Sequence, residues 1–238
     1  MTIKKLGLDA SALRWFALLC MLLDHLWGTV VPGSDWMTYL GRLAFPIFAF
    51  QAVEGYLHTH DFRKYSRRLL LLAALSEIPF DLMMFKTPFY PFHQNVIITL
   101  WLGLISIRVI DLVRSGHTKP FLGSIELLGL LLLGYVTFPD YGVLGVLNVI
   151  IFYILRNFPG AKLAQLAAMI VIHVFGFGGR VFVFDILGAS LEIPMQAFAV
   201  FSLIPIWLYN GEKGSKNKFL QYFSYAFYPV HMLILSFF

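Results

Sequence analysis

Apolar stretches of about twenty residues recur from one end of this 238-residue chain to the other, separated by short segments that are often basic. Twenty residues in helical conformation cover about 30 Å, the thickness of a hydrocarbon core, and backbone inside lipid must satisfy its own hydrogen bonds. Strand-like alternation in short blocks, the mark of a membrane barrel, is absent, which leaves helices. With 59% hydrophobic and only 13% charged residues, little chain remains for a water-soluble domain. The expectation is an all-α, polytopic transmembrane bundle, a single domain over residues 1–238 with about nine spans (eight to ten). They fall near 11–30, 38–57, 67–86, 94–113, 121–138, 142–157, 161–178, 187–209 and 221–238. The pattern is weakest between Gly176 and Pro205, where Gly, Pro, Arg180, Asp185 and Glu192 interrupt it.

The basic residues then report orientation. With the N-terminus in the cytoplasm, 15 of the 18 Lys and Arg residues fall at inside segments or adjoining helix ends, Lys4, Lys5 and Lys216 among them. Only Arg42, Lys86 and Arg180 fall outside. This asymmetry predicts an N-in, C-out chain. It also accounts for the net charge of +5 without a nucleic acid partner. The N-terminus has the basic start of a signal peptide, yet its apolar run ends in Asp24-His25 without a small-residue cleavage site, so it reads as a retained helix.

Polar residues left over after topology are few. Ionisable groups at membrane depth are costly, and each is a functional hypothesis. Asp24 and His25 lie on the first helix, Arg42 opens the second and Glu54 closes it. Glu77 and Asp81 flank the sequence IPF on the third, and Gln94-Asn95 opens the fourth. A buried Arg42 needs a counter-charge, for which Glu77 and Asp81 are candidates. Asp140-Tyr141-Gly142 has the form of a helix start with Asp140 as N-cap, and Tyr228 and His231 lie one turn apart on the last helix.

The first helix has an informative spacing. Arg14 and His25 are eleven residues apart, which returns them to nearly the same face, about 16 Å apart along the axis. A cation at the cytoplasmic mouth and an imidazole deeper in suit a long ligand with a phosphorylated head and a reactive far end, such as acyl-CoA. Lys64, Arg67 and Arg68 in RKYSRR offer further phosphate ligands. His25, with an ordinary pKa near neutrality, suits a general base, and Asp24 beside it an orienting or acceptor-binding group.

The stretch LRWFALLCMLLDH, with a basic residue, ten intervening positions and a His, resembles the first helix of the acyltransferase-3 membrane superfamily, and SYAFYPVHMLIL resembles its closing helix. In size and wording the chain is more similar to the TraX family, through MLLDH, GRLAFPIFAF, KYSRRLLLLAALSEIPFDL, QNVIITLWLG and DYGVLGVL. TraX-like proteins are associated with N-acetylation of the amino terminus of conjugative pilin. The resemblance implies a multi-pass protein of the bacterial inner membrane with acetyl-CoA as donor, His25 in the catalytic role and Arg14 as its basic partner. The superfamily's Arg-x-x-Arg is matched only as Lys64-x-x-Arg67, with Arg68 adjacent.

The expected activity is acetyl transfer from cytosolic acetyl-CoA to an amino group on the outer side, on a pilin-like or other peptide. The supporting or acceptor-binding set is Arg42, Glu54, Glu77, Asn95, Asp140, Tyr141, Tyr228 and His231. Two alternatives share these residues: O-acetylation of a surface glycan, and a proton-coupled transporter or flippase. No Cys/His cluster has zinc-ligand spacing, so no metal is expected.

Overall fold

A computed structural model describes residues 6–186, 189–215 and 217–238; Lys4, Lys5 and Lys216 of the orientation argument lie outside them. The chain is mostly helical. In order it forms α1 (Ala10–Thr29), α2 (Trp36–Gly41), α3 (Ala44–His58), α4 (Phe62–Phe85), α5 (Val96–Arg114), α6 (Pro120–Val136), α7 (Gly142–Leu155) and α8 (Ala161–Ile170). A π-helical turn (Val171–Gly176), strands β1 (Val181–Ile186) and β2 (Ala189–Pro194) and a 3-10 segment (Met195–Ser202) follow, then α9 (Leu203–Trp207) and α10 (Lys218–Leu235).

Three expectations are corrected. The chain is not all-α, because β1 and β2 pair antiparallel with Val181 opposite Pro194 and Val183 opposite Glu192. Alternating Val and Phe after the glycines at 176, 178 and 179 favour this hairpin, and it takes the first part of the span expected at 187–209. The span expected at 38–57 is two helices. Pro46 supplies no N–H for the carbonyl of Arg42 and its ring crowds that carbonyl, so helical bonding breaks at Arg42-Leu43. The helix expected at 67–86 starts earlier, at Phe62, where Asp61 caps it by accepting the Lys64 amide at 2.9 Å. Among the described residues, α1 and α5 are each long and apolar enough to cross a bilayer alone.

The chain divides into two compact units. One comprises Met1–Phe48 with Phe158–Phe227. In it α1, capped by Asp9 at the Ala12 amide, packs on α2 and buries Leu13, Ala17, Leu18 and Met21. Gly41 makes the close approach possible, since a Cβ there would lie 2.4 Å from Asp24 Cβ. Tyr39 stacks on Phe198 and meets Phe182 of the hairpin edge-on.

The second unit comprises Ala49–Asn157 with Tyr228–Phe238. Here α5, capped by Asn95, is central and packs on α4, α6 and α7. Leu104 and Ile107 are fully buried. α6 instead leaves Phe121, Ile125, Leu128 and Leu132 more than half exposed. A continuous apolar face of this kind is rare on a protein surrounded by water.

Gly103 brings α5 onto α7, and a Cβ added there would lie 2.6 Å from Val149 Cβ. Gly103→Ala therefore overpacks this contact and costs about 1–3 kcal/mol. The expected result is a lower unfolding temperature of the detergent-solubilised protein, whereas the same change at Gly129, which faces open space, leaves it unchanged or raises it.

Candidate functional site

The first unit gathers a polar network around the far end of α1. Arg42 Nη2 donates to both Asp24 oxygens, at 2.7 and 2.8 Å, and Thr38 Oγ1 donates to Asp24 Oδ1 at 2.6 Å. Thr38 accepts in turn from Arg42 Nε and Nη2. The counter-charge of Arg42 is thus Asp24, not Glu77 or Asp81. Thr38 and Arg42 are four residues apart, so both reach the same carboxylate. Glu54 pairs with His58 on its own helix, 3.9 Å away.

The network continues through Gln196. Its Oε1 accepts from Arg42 Nη1 at 3.3 Å, and its Nε2 lies 3.1 Å from Nδ1 of fully buried His173. Arginine only donates, so the amide carbonyl must face it and the NH2 must face His173. Nδ1 is therefore the acceptor, and the neutral imidazole carries its proton on Nε2. Sequence reasoning passed over Thr38 and Gln196. Gln196 stands in the weakly patterned region, and the only signal was a polar side chain inside an apolar run.

His25 is half-buried, and its carbonyl accepts from Thr29 Oγ1 at 2.6 Å. Arg14 and His25 do share α1. Arg14 Nη1 donates to Ser224 Oγ at 3.4 Å, and the guanidinium lies 5.8 Å from the Tyr225 ring centroid. The basic end of α1 therefore rests on the Ser-Tyr pair of the last helix.

The second unit holds two further groups. At one end of α3 and α5 a cavity of about 720 Å³ is lined by Tyr56, His60, Phe62, Arg63, Arg108 and Asp111 among others. Asp111 accepts from the hydroxyls of Tyr56, at 2.5 Å, and Tyr153. The Arg108 guanidinium lies over Phe62. Asp61, also in the wall, is committed to capping α4. Lys64, Arg67 and Arg68 lie on the first turns of α4 but do not line the cavity; Arg63 and Arg108 do. The pairing of Arg108 with Asp111 at i and i+3 was the available signal.

The other group surrounds Glu77. Glu77 Oε2 accepts from Asn95 through its backbone N–H, at 3.3 Å, and its side-chain amide. Asp81, 1% exposed, accepts the Tyr90 amide at 2.8 Å. Asp140 does not cap α7. Tyr141 occupies the cap position at φ 65°, and Asp140 Oδ1 accepts its amide at 3.1 Å. Tyr228 and His231 are both buried, with ring centroids 6.0 Å apart.

His93 Nε2 lies 3.7 Å from Asp140 Oδ1. That carboxylate raises the imidazole pKa above its ordinary value against the opposing effect of burial, with Glu77 and Asp81 adding to the rise. A raised folded-state pKa means the pair stabilises the fold fully below about pH 6.5 and loses its effect as pH climbs through the raised value. Asp140→Asn should move the His93 titration, followed by NMR, to lower pH.

A mostly helical protein with long apolar helices and polar clusters held among them is the class these features define. Residues 9–238 match the family described as TraX protein, and the chain belongs to that family. It is 25% identical over 248 residues to "Probable fimbrial assembly protein FimC, serogroup H1" of Dichelobacter nodosus, covering 98% of this chain and 96% of that protein. No solved structure matches the chain.

Proposed function

We propose that this protein is a multi-pass enzyme of the bacterial inner membrane, of the acyltransferase-3 type, that moves an acetyl group from cytosolic acetyl-CoA to an amino group on the outer side. The observation that carries the reading is the stripe on α1: a cation on Ser224 and Tyr225 and, about 16 Å further along, a half-buried imidazole. His25 is the general base that takes a proton from the acceptor nitrogen as it attacks the thioester carbon; CoA leaves as the thiol after protonation. Asp24, engaged by Arg42 and Thr38, acts as a positioning residue that fixes this end of α1.

Membrane embedding is supported by the exposed apolar face of α6 and by the distribution of Lys and Arg. Arg63 and Arg108 offer guanidinium groups of the kind that bind phosphate oxygens in pairs, beside Asp61 and Asp111 in the same wall, and are candidates for contact with the donor. Lys64, Arg67 and Arg68 provide a basic approach to it. An acceptor on a pilus or fimbrial subunit is supported by TraX membership and by the name of the fimbrial relative.

The test is release of free CoA from acetyl-CoA by the purified, solubilised protein with small peptides as acceptors. His25→Ala should abolish turnover while the protein still inserts and binds acetyl-CoA. Arg63→Ala and Arg108→Ala should raise KM for acetyl-CoA about tenfold each, with kcat little changed. Turnover by His25→Ala equal to wild type would refute the mechanism.

A further inference from the structure

The second unit contains two carboxylates whose needs are only half met. Glu77 and Asp81 are four residues apart on α4, on one face, where like charges repel. The charge of Asp81 acts on Glu77, and both act on His93. Each has one oxygen held by neutral donors: Glu77 Oε2 by Asn95, and Asp81 Oδ2 by the Tyr90 amide. The other oxygens, Glu77 Oε1 and Asp81 Oδ1, are buried and have no donor among the described residues. Asp81 as a whole is almost completely enclosed, with 1% of its surface exposed.

A carboxylate removed from water calls for a cation or a full set of donors. The ion pairs among the described residues are Arg42 with Asp24, His58 with Glu54 and His93 with Asp140, so none takes up Glu77 or Asp81. The fixed donors are significant too. Asn95 is fully buried and tied by Ala73 O and the Ile97 amide, so it holds Glu77 in one orientation. The two unpaired oxygens are therefore held ready for donors that the described residues do not supply.

Position narrows the choice of ligand. Asp81 is 18 residues beyond Arg63 on one helix, about 27 Å by helical rise and close to the depth of a hydrocarbon core. With the basic start of α4 in the cytoplasm, the carboxylates lie toward the outer side. We infer that Glu77 and Asp81 form the subsite that binds the primary ammonium group of the acceptor, an inference that rests on the amine-acetylation reading above. An ammonium group brings one positive charge and three N–H donors, which meet the two unpaired oxygens, whereas a sugar hydroxyl brings one donor and no charge.

The test measures binding of trialanine amide to the solubilised protein by calorimetry, beside its N-acetyl form and the lactyl analogue in which a hydroxyl replaces the ammonium. The free amine should bind at least tenfold more tightly than either analogue, and methylammonium should compete. Glu77→Gln and Asp81→Asn, close in shape to the originals, should each abolish that preference. Should either variant unfold, preference and competition in the wild-type protein decide alone. Equal binding of amine and lactyl peptides, or a preference unchanged in well-folded variants, overturns the subsite. Acetyl transfer to trialanine amide that persists in both variants overturns it while leaving the enzyme reading intact. A carboxylate-dependent amine preference without any CoA release upholds the subsite and refutes the enzyme.

Discussion

The pairing of Asp24 with Arg42 is the constraint on which the first unit's polar end depends. Each charge would be costly alone in an apolar setting, and loss of one partner from such a pair leaves the other uncompensated. The surroundings are built for both members. Thr38 donates to the carboxylate and accepts from the guanidinium, Gln196 accepts from a further guanidinium N–H, and His173 receives the amide's own donor. Gly41 lets the helices approach closely enough for the contact, and Pro46 breaks the helix where the arginine sits. His25 follows Asp24 in sequence, so the pair that anchors this turn of α1 also limits where the imidazole can go.

The second unit handles charge differently. Asp111 accepts from two phenols and shares a cavity wall with Arg108, while Arg114 and Arg156 lie over the Tyr153 ring. Asp61 spends its carboxylate on the start of α4. Arg63 and Arg108 stand in the same cavity wall as these two carboxylates. At the other end of α4, Glu77 and Asp81 have neutral donors only. One helix thus carries surplus positive charge at its start and surplus negative charge near its end.

Much of this was legible in the sequence, where local rules decide the outcome. The starts of α1, α5 and α7 follow from where apolar runs begin, and Arg14 and His25 share a face because eleven residues make just over three turns. The hairpin was not legible as such: Val181 to Phe184 is apolar enough to read as the approach to a span, and period-2 alternation over so few residues is a weak signal. Nor was the partner of Arg42. Glu77, Asp81 and Asp24 are equally good counter-charges by type, and only the packing of α1 on α2 chooses between them. The same holds for the cavity, whose arginines looked like topology signals until α4 and α5 placed them together.

On the proposed reading, the asymmetry of α4 bears on why such an enzyme would sit in a membrane. A soluble acetyltransferase can meet donor and acceptor from one solvent, and nothing requires its anion-binding and cation-binding groups to be far apart. Here about 27 Å of one helix separates Arg63 from Asp81, and most of the side chains between them are apolar. On the proposed orientation this places phosphate recognition where acetyl-CoA is made and ammonium recognition where an exported peptide presents its amino terminus. The apolar distance between them would hinder passage of either charged group to the other side. The acetyl group, small and uncharged on its thioester, is the one part of the proposed reaction for which that barrier is low.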